Sequence, residues 1–259
     1  MTPEGNFTLT YFPNDPNAKP CTALEEAIQF LYDNRGYNEE DLPHASDVNK
    51  QLLNVINNVL LPACEEGNQE AVYWMFFAYD RGIGVEWDED KALEYLKRLA
   101  DHGYPNMQYA MGECYRSEDV VFNAHVRKMN SEAVKWYTKA AKQGNEEAMY
   151  RLGKCFRDKS SGKRSCRKSF LWYKRAAERG HKEAMEELGF CFQRGIGTKK
   201  DLATAAEWYE KAGMHDKAER LRNGEDESAF DVFPSHPIPC LEEVDGLIPF
   251  PEMDMENPF

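Results

Sequence analysis

Two short stretches of the 259-residue sequence hold residue types that could support nucleophilic catalysis. Ser160 and Ser165 are each followed three residues later by a lysine, Lys163 or Lys168. This is the spacing of the first motif of serine penicillin-recognising enzymes. The companion Ser-Asp-Asn and Lys-Thr-Gly motifs are absent from the sequence, and both serines are predicted to lie in a loop rather than at a helix start. A hydrolase of this kind remains an alternative, but no complete catalytic motif predicts an enzyme.

The cysteines and histidines do not form a metal or redox pattern. The seven cysteines are scattered without a Cys-x-x-Cys pair, and the six histidines share no liganding spacing, so neither a metal nor another cofactor is predicted. Cys114, Cys155 and Cys191 recur at one repeat position and are predicted to be small buried apolar side chains. Cys166 stands among basic residues and is predicted to be an exposed thiol. Free thiols favour a reducing compartment, and we expect a cytoplasmic protein.

The net charge of the chain limits its partners. Forty-five acidic residues oppose 32 basic residues, which gives a formal charge of −13. This balance argues against nucleic acid as a partner, because phosphate binding needs clustered Lys and Arg. No apolar run reaches the length of about 18 residues that is typical of a membrane-spanning helix, so no membrane insertion is predicted.

Most of the net negative charge comes from the C-terminal residues. Residues 224–259 contain ten Asp or Glu, no Lys or Arg and six of the 13 prolines, which predicts an extended acidic tail. Apolar residues interrupt the acids, and the candidates for docking the tail are Phe230, Phe233, Leu241 and Phe250. The stretch from Lys154 to Lys182 is strongly basic. We therefore expect the tail to fold onto this stretch, in the same or a neighbouring molecule.

The middle of the chain repeats with a common register. Glycines recur at intervals of 36, 41 and 36 residues, a Met or Leu stands eight residues after each glycine, and an aromatic residue stands near the end of each unit. These positions are Gly67, Gly103, Gly144 and Gly180; Met75, Met111, Leu152 and Leu188; and Tyr95, Trp136, Trp172 and Trp208. Such a register indicates a structural repeat.

Each repeat is predicted to form two helices. In the third repeat Ala148, Leu152 and Phe156 follow the spacing of one helical face. Small residues near the aromatic residue of the second helix allow the two helices to pack closely. A unit of about 36 residues cannot bury its own apolar face, so neighbouring units must stack into a solenoid.

The turn between the helices resembles that of a known family. The sequence Gly82-x-Gly84-Val85-x-x-Asp88-x-x-Lys91-Ala92-x-x-Tyr95 is similar to the Sel-1-like repeat, a relative of the tetratricopeptide repeat. A second copy begins Gly195-x-Gly197-Thr198-x-x-Asp201, with Thr at the usual Val. The resemblance covers about residues 67–216 and implies an all-α, right-handed α/α solenoid of about four to five helical-hairpin repeats.

The predicted organisation therefore has four parts. They are an extended N-terminal segment (1–22), N-terminal helices that form a partial or capping repeat (23–66), the solenoid (67–222, with repeats 67–102, 103–143, 144–179 and 180–222) and the acidic proline-rich tail (223–259).

The resemblance also implies a binding surface. In tetratricopeptide arrays the first helices line a concave groove, and the equivalent positions here hold aromatic rings edged by charged residues. They are Tyr73, Phe77, Arg81, Tyr109, Glu113, Arg116, Tyr150, Lys154, Arg157, Glu186, Phe190 and Arg194.

The family resemblance implies an adaptor or scaffold without catalysis. We expect the groove to bind a protein or peptide of acidic and aromatic character, and we expect the tail to modulate this binding by partly occupying the groove. An effector or toxin-neutralising protein that uses the same groove is a further alternative.

Overall fold

The computed structural model describes residues 22–33, 45–116, 130–157 and 165–225, which form helices and turns without a β-strand. The helices in chain order are α1 (Thr22–Asp33), α2 (Ala45–Val55), a π-helical segment (Ile56–Leu60), α3 (Leu61–Glu65), α4 (Gln69–Arg81), α5 (Glu89–His102), α6 (Pro105–Arg116), α7 (Asn130–Lys142), α8 (Glu146–Arg157), α9 (Cys166–Glu178), α10 (Lys182–Arg194), α11 (Leu202–Lys211) and α12 (His215–Arg222). Ser160, Lys163 and the tail candidates Phe230, Phe233, Leu241 and Phe250 lie outside these residues.

The chain divides into two compact units, Met1–Gly103 and Tyr104–Phe259. In the first unit, α4 and α5 form a helical hairpin. In the second unit, three hairpins follow one another: α6 with α7, α8 with α9, and α10 with α11. Helix α8 also packs against α7, α10 packs against α9, and α12 covers α11. The prediction of an all-α solenoid of Sel-1-like repeats is confirmed.

Helices α4, α5, α8, α9, α10 and α11 each start with a side-chain cap at a fixed repeat position. The capping atom accepts a hydrogen bond from the backbone N–H three residues later, at 2.8 to 3.2 Å. First helices are capped by Asn68, Asn145 and His181, and second helices by Asp88, Ser165 and Asp201. Because these bonds satisfy N–H groups that have no partner within the helix, they fix where each helix begins.

The core of each hairpin in the second unit depends on a glycine facing a tyrosine. A Cβ atom added to Gly112, Gly153 or Gly189 would lie 2.4, 2.5 or 3.0 Å from the nearest atom of the ring opposite. Those rings belong to Tyr137, Tyr173 and Tyr209, each of which is 0% exposed. The glycines therefore create the space in which the tyrosines of the second helices are buried.

The first unit carries other residues at these two repeat positions. At the repeat position of these glycines α4 carries Phe76, and at the position of the tyrosines α5 carries the buried Leu96. A large residue on the first helix thus accompanies a smaller one on the second.

The cysteines occupy buried sites. Cys114, Cys155 and Cys191 are buried free thiols, as predicted. Burial raises the pKa of Cys191 to about 12, so its thiolate is disfavoured. Cys166 differs from the prediction: it is fully buried at the start of α9 and is disulfide-bonded. The expectation of an exposed thiol was wrong because the surrounding basic residues are charged while the cysteine itself points into the core.

Candidate protein-binding site

The first helices of the second unit, α6, α8 and α10, present the residues predicted to line the groove. All nine of these residues are half-buried or exposed, so none belongs to the buried core. We call them the first-helix strip: Tyr109, Glu113, Arg116, Tyr150, Lys154, Arg157, Glu186, Phe190 and Arg194. Met111, Leu152 and Leu188 on the same helices are buried in the core. The partly buried rings of the strip pack against that core.

Charged side chains join α6 to α8 across the strip. Arg151 Nε lies 3.2 Å from Glu113 Oε1 and 3.3 Å from Glu147 Oε1. Arg116 Nη2 is 2.7 Å from Glu113 Oε2. Tyr109 Oη receives a hydrogen bond from Arg151 Nε at 3.4 Å. Burial raises the pKa of Tyr109 to about 12, so this hydroxyl stays protonated at neutral pH.

The network continues to the start of α10 through His181. The ring Nδ1 of His181 accepts the N–H of Ala184 and caps α10, which leaves Nε2 to donate to Glu147 Oε2 at 2.8 Å. The same ring stacks on Tyr150, with 4.7 Å between centroids. The hydrogen bond from His181 and the charge of Arg151 lower the pKa of Glu147, which keeps this carboxylate ionised.

A second ion pair joins α8 to α10. Arg157 Nη1 lies 2.5 Å from Glu187 Oε2, and both side chains are mostly buried. The Arg157 guanidinium also lies 5.9 Å from the centre of the Tyr173 ring. Together with the Arg151 contacts, this pair fixes the spacing of the three first helices.

The remaining cations of the strip lie against aromatic rings. Lys154 Nζ is 5.5 Å from the centre of the Tyr150 ring, and Arg194 Cζ is 5.6 Å from that of Phe190. No carboxylate within the described ranges lies within 4 Å of Lys154, so its charge is not paired there.

The three predicted residues of the first unit lie together on α4. Tyr73 and Phe77 both make edge-to-face contacts with Trp74, with ring centroids 5.9 and 5.7 Å apart. Arg81 lies 5.9 Å from the centre of the Phe77 ring and pairs with Asp80 at 3.1 Å. This helix therefore carries an aromatic cluster of its own.

Sequence reasoning missed four residues that organise the strip. Arg151 and Glu187 immediately precede the buried Leu152 and Leu188, a position that the groove prediction did not include. Glu147 and His181 form the link between repeats. The recurring charge before the buried leucine was a usable signal, whereas the pairing of these charges depends on distances between helices.

The second copy of the serine motif, which begins at Ser165, has a structural role. Ser165 lies at the start of α9, which corrects the prediction that it sits in a loop. Its Oγ accepts the N–H of Lys168 at 3.2 Å, just as Asp88 and Asp201 do at the same position in other repeats. Lys168 Nζ lies 5.3 Å from the centre of the Phe156 ring. Ser165 is thus a helix cap in the structure.

The model of the Sel1 repeat family matches four consecutive segments, residues 69–104, 105–145, 146–181 and 182–217. These segments cover more than half of the sequence. The chain belongs to the Sel1 repeat family. The proteins of this family are generally protein-interaction scaffolds.

Two solved structures show the same repeat fold. A Sel1 repeat protein from Oxalobacter formigenes is 25% identical, with a TM-score of 0.59 over 76% of this chain and 72% of that one. A protective antigen of uropathogenic Escherichia coli strains, which displays an SLR fold, is 24% identical with a TM-score of 0.57. The match covers 80% of this chain but only 45% of the antigen, so this chain spans less than half the length of that relative.

Within residues 22–33, 45–116, 130–157 and 165–225, no group of three His, Cys, Asp or Glu residues is placed to hold a metal ion. None of the helices in these ranges is both long and apolar enough to cross a bilayer.

Proposed function

We propose that this Sel1 repeat protein is an adaptor or scaffold that binds a polypeptide partner on the first-helix strip. The observation that carries the proposal is the set of half-exposed aromatic and charged side chains held in place by ion pairs between α6, α8 and α10. Side chains that are already fixed lose little conformational entropy when a partner binds. Aromatic residues and arginine are also the types that most often dominate interface energies.

The strip fits a partner segment with aromatic and acidic residues. Tyr150 and Phe190 offer half-exposed rings on which a partner ring can pack. Lys154 supplies a cation that has no carboxylate within 4 Å among the described residues, whereas Arg157 is already paired with Glu187. A partner carboxylate therefore gains most beside Lys154.

A selection from a phage-displayed library of random linear peptides, using the full chain as bait, tests this proposal. A selected peptide is then labelled, and its Kd is measured by fluorescence anisotropy. We expect Phe190→Ala and Lys154→Glu each to weaken binding by about tenfold or more, the scale of a single hot-spot contact. Lys199→Glu, an exposed position in the turn before α11, is the matched control and should leave the Kd unchanged.

Two results would argue against the strip as the binding site. The first is that the selected peptides bind the native chain and both strip variants with the same Kd. The other is equal weakening by Lys199→Glu, because that would indicate a general charge effect. Circular dichroism and thermal unfolding of each variant show that a loss of binding is not a loss of folding.

A further inference from the structure

A group of cations on the second helices differs from the charges of the first-helix strip. Lys139 and Lys142 lie in the last turns of α7, and Arg175 and Arg179 lie at the end of α9 and just beyond it. We call these four residues the second-helix patch. Within the described parts of the chain, no carboxylate lies within 4 Å of any of them. In the strip, by contrast, Arg116 and Arg157 each have a glutamate partner.

The two cation pairs are connected by the approach of the Arg179 side chain to the end of α7. A Cβ atom added to Gly144, which follows α7, would lie 3.0 Å from Arg179 Nη1. The absence of that atom lets the Arg179 side chain reach the end of α7. Arg175 lies one helical turn before Arg179, and Lys139 one turn before Lys142, so both pairs face the same side of their helices.

The aromatic rings beneath the patch hold two of its side chains without removing their charge. Lys139 Nζ lies 3.8 Å from the centre of the Trp136 ring, and Arg175 Cζ lies 4.9 Å from that of Trp172. The negative ends of the helix dipoles favour cations in these last turns. Neither effect supplies a counter-charge, so the patch is a fixed positive surface.

The structure assigns this patch to a specific occupant: we propose that the acidic segment of residues 226–259 of the same chain docks on it. Those 34 residues contain nine Asp or Glu and no Lys or Arg, which complements the patch in charge. The described chain ends at Glu225, after α12, and α12, α11, α10 and α9 pack in succession. Three helix-to-helix steps span about 30 Å.

The segment is long enough to reach the patch and is always near it. An extended chain covers roughly 3.3 Å per residue, so 34 residues reach well beyond 30 Å. The covalent link gives the segment an effective concentration in the range of about 1 mM, which favours it over free acidic peptides. The sequence predicted partial occupation of the groove, but the glutamate partners of Arg116 and Arg157 make the second-helix patch the better match.

Zero-length carbodiimide cross-linking of the full chain, mapped by mass spectrometry, tests the docking. Lys139 and Lys142 should cross-link to carboxylates of residues 226–259, with at least fivefold higher yield than Lys154 or Lys199. The Arg175→Glu/Arg179→Glu variant keeps both reactive lysines, and its yield at them should fall at least fivefold. Salt at 0.5 M should lower the yield of the native chain in the same way.

Three outcomes would overturn the proposal. The first is an unchanged yield at Lys139 and Lys142 in the Arg175→Glu/Arg179→Glu variant. The second is a dominant cross-link from the segment to Lys154, which would place it on the first-helix strip. The third is cross-linking mainly between copies in an equal mixture of ¹⁴N- and ¹⁵N-labelled protein, which would mean that the segment docks on a second molecule. Thermal unfolding of the variant provides the folding control.

Discussion

At the scale of single residues, the close approach of Gly153 to Tyr173 makes a quantitative prediction. Gly153→Ala adds a methyl group 2.5 Å from a fully buried ring, so it should destabilise the fold by about 1–3 kcal/mol, reduced by the better helix propensity of alanine. Gly189→Ala is the matched control, because its clearance to Tyr209 is 3.0 Å and its cost should be smaller. Urea unfolding monitored by circular dichroism measures both changes.

The exchanged sizes in the first unit supply a test of the mechanism. In the first unit the larger Phe76 stands at the repeat position of Gly153, and the smaller Leu96 stands at that of Tyr173. The cost of Gly153→Ala should therefore be lower in a Tyr173→Leu background than in the native chain. Equal costs in the two backgrounds would mean that the tyrosine ring is not the source of the strain.

The Glu147 carboxylate gives the protein a defined response to acid. Its pKa is lower in the folded state than the ordinary value of 4.5, because His181 and Arg151 stabilise the ionised form. The stabilisation is therefore complete above the unfolded pKa and is lost as the pH falls through the folded one. Glu147→Gln should lower the free energy of unfolding by about 1 kcal/mol or less at pH 7, and the difference should shrink towards pH 3.

Urea unfolding midpoints between pH 7 and pH 3 measure this effect. Glu146→Gln is the control, since Glu146 is an exposed neighbour on the same helix. A difference between the native chain and Glu147→Gln that stays constant down to pH 3 would contradict the assignment.

At the scale of the helices, the caps identify what Ser165 does. It occupies the repeat position of Asp88 and Asp201, and all three accept the N–H of the residue three positions later. Ser165→Ala should cost about 1 kcal/mol, whereas Ser165→Asp should keep the stability of the native chain. Thermal unfolding separates the two variants. Equal destabilisation by Ala and Asp would mean that capping is not the contribution of this serine.

The helices also show which parts of the molecule can be predicted from sequence. The register of Leu152 and Leu188 predicted the first helices, because burial of one helical face leaves a periodic pattern in a single chain. The pairing of Arg157 with Glu187 left no such pattern, since it depends on the offset between two helices. Cys166 was misplaced for a similar reason: its charged neighbours in sequence say little about the direction of its own side chain.

At the scale of the whole second unit, stacked repeats predict graded stability. A repeat array gains stability from contacts between neighbours, so its interior exchanges amide protons more slowly than its ends. The largest buried cluster joins α7, α8, α9 and α10, and α12 contributes only Ala218 and Leu221 to a smaller cluster with α11. Hydrogen exchange should therefore be slowest in α8 and α9 and faster in α12.

Two truncations of buried leucines distinguish this behaviour from unfolding in a single step. Leu221→Ala weakens only the contact of α12 with α11, so it should speed exchange in those two helices by about tenfold or more and leave α8 unchanged. Leu152→Ala removes a side chain at the centre of the larger cluster and should speed exchange in α7 to α10 together. If Leu221→Ala accelerated α8 as much as α12, the second unit would unfold as one cooperative body, and the nearest-neighbour account of its stability would be wrong.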